Sequence, residues 1–235
     1  MSAGDPVPLE VAMPCAEALL ELLAPACERI AIAGSARRRK PAVSDIELVV
    51  APRFETAPAG DLWGEGTVER DCLAELLVEQ RDTGELVPRR VILHRANGSL
   101  EEARRVGPAY QALEHRGIPV DLFIVRPPAE WGVIFALRTG PGDWNTRLVI
   151  ECRRYGRRVR GGRLYVLGRH VACPEEADFF RALGQPWVEP VERTIGRVRL
   201  QPPSDHPHRY GYGGPLDGPH ANVARYCLDC LAPET

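Results

Sequence analysis

Apolar residues recur at helical spacing from Leu9 to Leu23, with Val11, Cys15, Leu19, Leu22 and Leu23 along one side and Glu17 and Glu21 elsewhere. Pro14 is best tolerated in a first turn, so the regular helix is expected to begin near it. Ile30 to Ala33 reads as a strand entering a turn at Gly34-Ser35. Asp45-Ile46-Glu47-Leu48-Val49-Val50 reads as a second strand, apolar enough to be buried. The chain then loosens from Pro52 to Gly66, and Val68 to Gln80 has the pattern of an amphipathic helix. Leu86 to Leu93 has strand character, and the polar segment His94 to Arg105 reads as a loop or short helical insertion. Tyr110–Leu113 and Ile118–Val125 are expected to form a hairpin around His115, Arg116 and Gly117.

The pattern changes at Pro127-Pro128. Ala129 to Arg138 is helical, Thr139-Gly140-Pro141-Gly142 is a tight turn, and Asp143 to Tyr155 is a second helix with an acid where the macrodipole favours one. A hairpin is expected around Gly161-Gly162, with Leu164 to Leu167 as its return strand. Pro174 to Leu183 forms a helix with acids in its first turn and Gly184 at its end. From Thr194 onward, Pro, Gly, His and Tyr point to an extended arm.

Composition narrows the function classes. At 235 residues the chain has room for one or two domains with a core. The formal charge of −2 places any nucleic-acid affinity in local patches. The sequence has no apolar run of membrane-spanning length, and its first residues do not read as a signal peptide. Seven cysteines, an odd and scattered set, fit reduced thiols in a cytoplasm better than a disulfide framework.

The candidate chemistry lies around Gly34. Asp45 and Glu47 alternate along one strand, so they project from the same face about 6–7 Å apart. Carboxylates that close repel unless cations sit between them, a role that suits the hard cation Mg²⁺. The preceding Gly34-Ser35 turn and its basic run could offer backbone N–H groups and guanidinium forks to phosphate. Asp121 stands in an otherwise apolar strand, where an unpaired carboxylate would cost several kcal/mol. It is read as a third metal ligand beside the Asp45 strand. Between Arg147 and Arg169 lie eight arginines (Arg147, Arg153, Arg154, Arg157, Arg158, Arg160, Arg163 and Arg169) against one acid, Glu151. Arginine without lysine, interleaved with Tyr155 and Tyr165, fits contact with a phosphate backbone. In the arm, Cys227 and Cys230 with His206, His208 and His220 form a weak candidate zinc set.

Three blocks together resemble one family. Gly34-Ser35-x-Arg37-Arg38 with Asp45-x-Glu47, followed by Pro119-Val120-Asp121-Leu122-Phe123, resembles the palm of the family X DNA polymerases, the DNA polymerase beta-like nucleotidyltransferases. Thr139-Gly140 with Asn145 resembles their nucleotide-embracing turn and helix. The run from Glu175 to Pro190 resembles the end of their thumb. The compact layout looks like small phage or bacterial members without the N-terminal lyase domain.

The resemblance implies an α+β fold: a palm of mixed sheet flanked by helices (8–126), a small α+β thumb (127–193) and a tail (194–235). It implies a DNA-directed DNA polymerase, gap-filling and monomeric, in a bacterial or phage-infected cytoplasm with no membrane partner. Its substrates would be dNTP and a primer-template or gapped DNA. Asp45, Glu47 and Asp121 would hold two Mg²⁺, with Mn²⁺ as a substitute. Gly34, Ser35, Arg37 and Arg38 would take the triphosphate, and Thr139, Gly140 and Asn145 the rest of the nucleotide. Arg147, Arg153, Arg154, Arg157, Arg158, Arg160 and Arg163 would meet the DNA. Glu47 stands where the family usually has Asp, and Leu137-Arg138 replaces an aromatic pair that guards against ribonucleotides. The resemblance leaves a nucleotidyltransferase with another acceptor, or an inactive nucleic-acid-binding module, as rivals.

Overall fold

The computed structural model describes residues 6–58, 66–94, 99–200, 210–212 and 225–227, of which 93, 94, 210–212 and 225–227 are described by backbone alone. The chain divides into two units between Pro127 and Pro128. The first unit runs β1 (Val7–Pro8), α1 (Leu9–Leu23), β2 (Cys27–Ile32), α2 (Gly34–Arg37), β3 (Ala42–Val43), β4 (Ile46–Pro52), β5 (Phe54–Pro58), β6 (Thr67–Asp71) and α3 (Cys72–Asp82). It continues with β7 (Val87–Pro88), β8 (Arg90–His94), β9 (Leu100–Arg104), β10 (Tyr110–His115) and β11 (Ile118–Ile124).

Five of these strands form one mixed sheet in the order β2-β4-β11-β10-β7. Only β4 and β11 pair in parallel; the other neighbours are antiparallel. Leu48, Val49 and Val50 are all fully buried, so β4 is covered on both faces, as a central parallel strand should be. The core gathers Leu19 and Leu23 of α1, Leu73 and Leu77 of α3, and Leu48, Val120 and Leu122 of the sheet.

Some sequence expectations need correction here. Helix α1 begins at Leu9 and runs through Pro14. Pro14 and Glu10 are both exposed, so the hydrogen bond Pro14 forfeits faces water. The buried face is Ala12, Cys15, Ala16, Leu19 and Leu23, while Val11 is exposed. The supposed irregular stretch after Pro52 holds β5, paired with β6, so residues 67–71 are strand and the helix starts only at Cys72. There Asp71 caps α3 by accepting the Ala74 N–H at 2.9 Å. Residues 100–104, read as loop or helix, form β9 paired with β8. Neither of these hairpins joins the main sheet. The strand character expected of Leu86–Leu93 falls on β7 and most of β8, whereas β5, β6 and β9 are mostly exposed and carry little apolar alternation.

The second unit contains α4 (Trp131–Thr139), α5 (Gly142–Arg154), β12 (Arg157–Arg160), β13 (Arg163–Val166), β14 (Arg169–Val171) and α6 (Glu176–Ala182), with a short hairpin of β15 (Tyr210–Tyr212) and β16 (Arg225–Cys227). Strands β12-β13-β14 form an antiparallel sheet. Gly161-Gly162 and Leu167-Gly168 all have positive φ, as two-residue hairpin turns with the sheet's own twist require. The second of these turns adds β14, a strand the sequence reading lacked. Asp178 accepts the Glu175 N–H at 3.0 Å to start α6, and Gly184, at φ +58°, follows its end.

The core of this unit holds Val133, Trp144, Leu148, Leu164, Phe179 and Phe180. Set into it is Arg193, its side chain 0% exposed, paired with Glu176 at 2.8 Å. Its Nε donates to the Val188 carbonyl at 3.1 Å, and its guanidinium lies 4.9 Å from the Phe180 ring and 5.5 Å from each of the Trp144 and Trp187 rings. Removing one member of a buried pair strands the other charge in an apolar setting. Arg193→Ala is therefore expected to lower the stability of this unit by about 3–5 kcal/mol, read from urea unfolding followed by tryptophan fluorescence.

Candidate active site

The parallel register of β4 and β11 sets Asp121 directly beside Glu47. Neighbouring strands lie about 4.8 Å apart, and residues in register share a face, so the two carboxylates rise from the sheet together. Asp45, two residues before Glu47, precedes β4 and completes the acidic face. Burial pushes the Asp45 carboxyl above its ordinary range and the Asp121 charge raises it further, against the pull of Arg89 and Arg38. All three expected ligands thus belong to one neighbourhood.

Gly34 is matched to this face. Its φ of +59° lies in the left-handed region, and a Cβ placed on it would overlap the Glu47 carboxylate. The short helix α2 begins there, and the Ala33 N–H donates to the Glu47 carbonyl at 2.8 Å, so the turn is tied to β4 at the level of the acid. Ser35 and Arg38 lie within and just after α2. Arg37, by contrast, helps line a cavity of about 330 Å³ with Leu9, Met13, Ile32, Ala36 and Arg39, to which none of the three acids contributes.

Two residues the sequence reading did not single out complete the site. Arg89 pairs with Asp121, and Tyr110 donates its hydroxyl proton to Asp121 Oδ1 at 2.9 Å. Burial, then the Asp121 charge and this hydrogen bond, pushes the Tyr110 hydroxyl well above its ordinary range, so it stays a donor. Tyr110 also packs against Phe123 with the rings tilted and centroids 5.2 Å apart, and the Arg105 guanidinium lies 4.8 Å from its ring centroid. Tyr110 was open to discovery: a two-residue turn at Arg116-Gly117 pairs Ala112 with Asp121 and puts Tyr110 on the same face. Nothing along the sequence marks Arg89.

Three hard carboxylate oxygen donors on one face fit the chemistry of a divalent cation such as Mg²⁺. Among the described residues no three or more His, Cys, Asp and Glu side chains form a group that could hold a metal ion.

In the second unit, Thr139 is fully buried at the end of α4, and Asn145 braces the α4–α5 turn by donating its Nδ2 protons to the Leu137 and Gly140 carbonyls at 2.6 and 3.1 Å. A Cβ on Gly140 would press into Asn145 and Trp144. Arg147 and Arg154 both pair with Glu151, at 2.9 and 3.2 Å. Arg153, Arg158 and Arg160 are exposed, and the strand register puts Arg158, Arg160 and Arg163 on one face of the small sheet with Tyr165 and His170. Arg157 corrects the expectation: it is 1% exposed, its guanidinium 5.6 Å from the Tyr155 ring, and it packs inside the unit rather than meeting a ligand. The candidate zinc ligands His206, His208, His220 and Cys230 lie outside the described residues, and of Cys227 only its place in β16 is described.

Two outcomes follow. Gly34→Ala and Glu47→Ala should be coupled: left-handed φ alone costs about 1–2 kcal/mol on gaining a Cβ, and the overlap adds to it only while Glu47 is present. A double-mutant cycle in denaturant should give an interaction of at least about 0.5 kcal/mol; additive losses would show that the two do not touch. Asp45, held above its ordinary value of 3.8, costs stability when ionised. That cost is complete above its folded-state value and fades as pH falls toward 3.8. Asp45→Asn should therefore stabilise the metal-free chain near neutral pH, with the gain shrinking in melts at acid pH.

No protein-family model matches this chain, and no curated protein matches it either. Among solved structures, it is similar to Leishmania infantum polymerase beta, solved as a ternary P/T complex. The TM-score is 0.55 at 17% sequence identity, over 81% of this chain and 77% of that one. At this identity the likeness is one of fold: the chain has a polymerase beta-like α+β fold.

Proposed function

We infer that the chain is a nucleotidyltransferase that extends a DNA primer with dNTP, its first unit serving as palm and its second as thumb. The observation that carries this reading is the β4–β11 register, which sets Asp121 beside Glu47 and within electrostatic reach of Asp45. The polymerase beta-like fold agrees with it. Asp45, Glu47 and Asp121 would hold two Mg²⁺, or Mn²⁺, whose chemistry is to acidify a primer 3′-hydroxyl and to neutralise leaving pyrophosphate. Asp121, hydrogen-bonded by Tyr110, is the carboxylate proposed to draw the hydroxyl proton. Ser35, Arg38 and the backbone of the Gly34 turn would bind the triphosphate, where guanidinium forks match phosphate oxygens. Arg37 is a weaker member of that group because it lines the separate cavity.

In the second unit, Thr139, Gly140 and Asn145 would shape the nucleotide's seat. Asn145 acts there first as a brace of the turn. Arg153, Arg158, Arg160 and Arg163 would bear on the DNA backbone, with Arg147 and Arg154 already sharing Glu151. Leu137-Arg138 in place of an aromatic pair makes ribonucleotide acceptance an expected property.

Primer extension on gapped DNA with dNTP and Mg²⁺ tests the reading. Metal stabilisation of a phosphoryl transition state is worth several kcal/mol, so Asp45→Ala should lose roughly 10³-fold or more. A loss of only a few-fold would contradict direct metal ligation. Transfer to an RNA end, protein or small molecule without DNA extension would overturn the choice of acceptor.

A further inference from the structure

Arg89 reaches Asp121 across two strands. Its backbone N–H donates to the Ala112 carbonyl at 3.0 Å, continuing the β7–β10 pairing by one residue beyond Pro88↔Leu113. Ala112 is in turn the register partner of Asp121, which is the partner of Glu47. Arg89, Ala112, Asp121 and Glu47 therefore form one transverse row on one face of the sheet. Strand spacing puts the Arg89 and Asp121 backbones about 9–10 Å apart, within reach of an extended guanidinium. The small side chain of Ala112 between them leaves the path open.

The pair is three-quarters or more withdrawn from water, at 24% and 18% side-chain exposure. It is nevertheless imperfect, because the buried Arg89 Nε–H has no acceptor among the described residues. Arg89 and Tyr110 both donate to Asp121 Oδ1, one of the two oxygens this carboxylate could offer a metal ion. Three carboxylates gathered on one face call for positive charge beside them, and Arg89 supplies it at Asp121.

The geometry points to Arg89 as an internal cation that occupies Asp121 in the metal-free chain and must be displaced when a divalent ion binds. This rests on the metal-dependent reading proposed above. Arg89 is thus a residue that positions and protects Asp121, and it weakens the resting affinity for metal. A bound divalent ion places two charges among the three acids where Arg89 places one, so exchange runs toward metal once the ion is abundant.

Mn²⁺ binding to the full chain, followed by electron paramagnetic resonance of the free ion, tests this without relying on activity. Arg89→Met should bind Mn²⁺ about tenfold tighter than the unmutated chain, since removing a competing charge pair frees the ligand. Arg89→Lys, which keeps the charge, should stay near the unmutated value. Unchanged or weaker binding by Arg89→Met would overturn the proposal, because a merely structural role predicts a loss. In the unmutated chain, Mg²⁺ should also shift the Arg89 Nε–H resonance; a resonance that stays put through saturation would overturn it independently of any variant. The two readings fail differently. If the unmutated chain binds Mn²⁺, Asp45→Asn abolishes that binding and Arg89→Met leaves it unchanged, only the role of Arg89 falls. If neither the unmutated chain nor Arg89→Met binds Mn²⁺, the metal-dependent function falls with it.

Discussion

The parallel pairing of β4 with β11 is the constraint on which the site depends. Side chains along a strand alternate with period two, so a slip of one residue would send Asp121 to the opposite face from Glu47. The pairing is held by burial on both faces, with Leu48, Val49, Val50, Val120 and Leu122 almost wholly withdrawn from water. Each fully buried side chain of this size contributes roughly 1.5–3 kcal/mol, and a slip would break the packing of several together while turning Asp121 to the other face. Apolar packing thus forces together carboxylates that would not choose to be neighbours. Burial first, and then repulsion from Asp121, hold the Asp45 carboxyl above its ordinary value.

The strain of gathering acids is met locally by backbone and by arginine. Gly34 removes its own Cβ from the volume the Glu47 carboxylate needs, and its left-handed φ turns the chain into α2 at that point. Arg38 and Arg89 lower the electrostatic cost from two sides. Both cations come from segments remote in sequence from Asp121, so the charge balance of the site is a property of the assembled sheet. An internal arginine of this kind offsets part of the repulsion among acids that apolar packing has gathered.

Arginine does different work in the second unit according to burial. Arg193 is enclosed by Phe180, Trp144 and Trp187 and neutralised by Glu176, which makes it part of the core. Arg157 is likewise internal. Arg158, Arg160 and Arg163 instead share the outer face of a twisted three-stranded sheet with Tyr165 and His170. A count of arginines along the chain treats these as one basic run. Only the strand register separates those set inside the unit from those on the sheet's outer face.

The sequence by itself determined the elements whose residues repeat with a clear period: α1 from its apolar stripe, β4 and β11 from their unbroken apolar runs, and α6 from its acidic first turn and closing Gly184. It also marked Asp121 as a residue in need of a partner, because a carboxylate inside an apolar strand is costly without one. The tight Arg116-Gly117 turn even made the β10–β11 register calculable, and with it the place of Tyr110. Tertiary structure alone decided the rest. The exposed strands β5, β6 and β9 leave little hydrophobic pattern to read, although β8 was legible as part of the Leu86–Leu93 strand. The partner of Asp121 depends on β7 joining the far edge of β10, a pairing between segments more than twenty residues apart that no local period encodes. That is why the acids were visible in the chain and the arginine facing them was not.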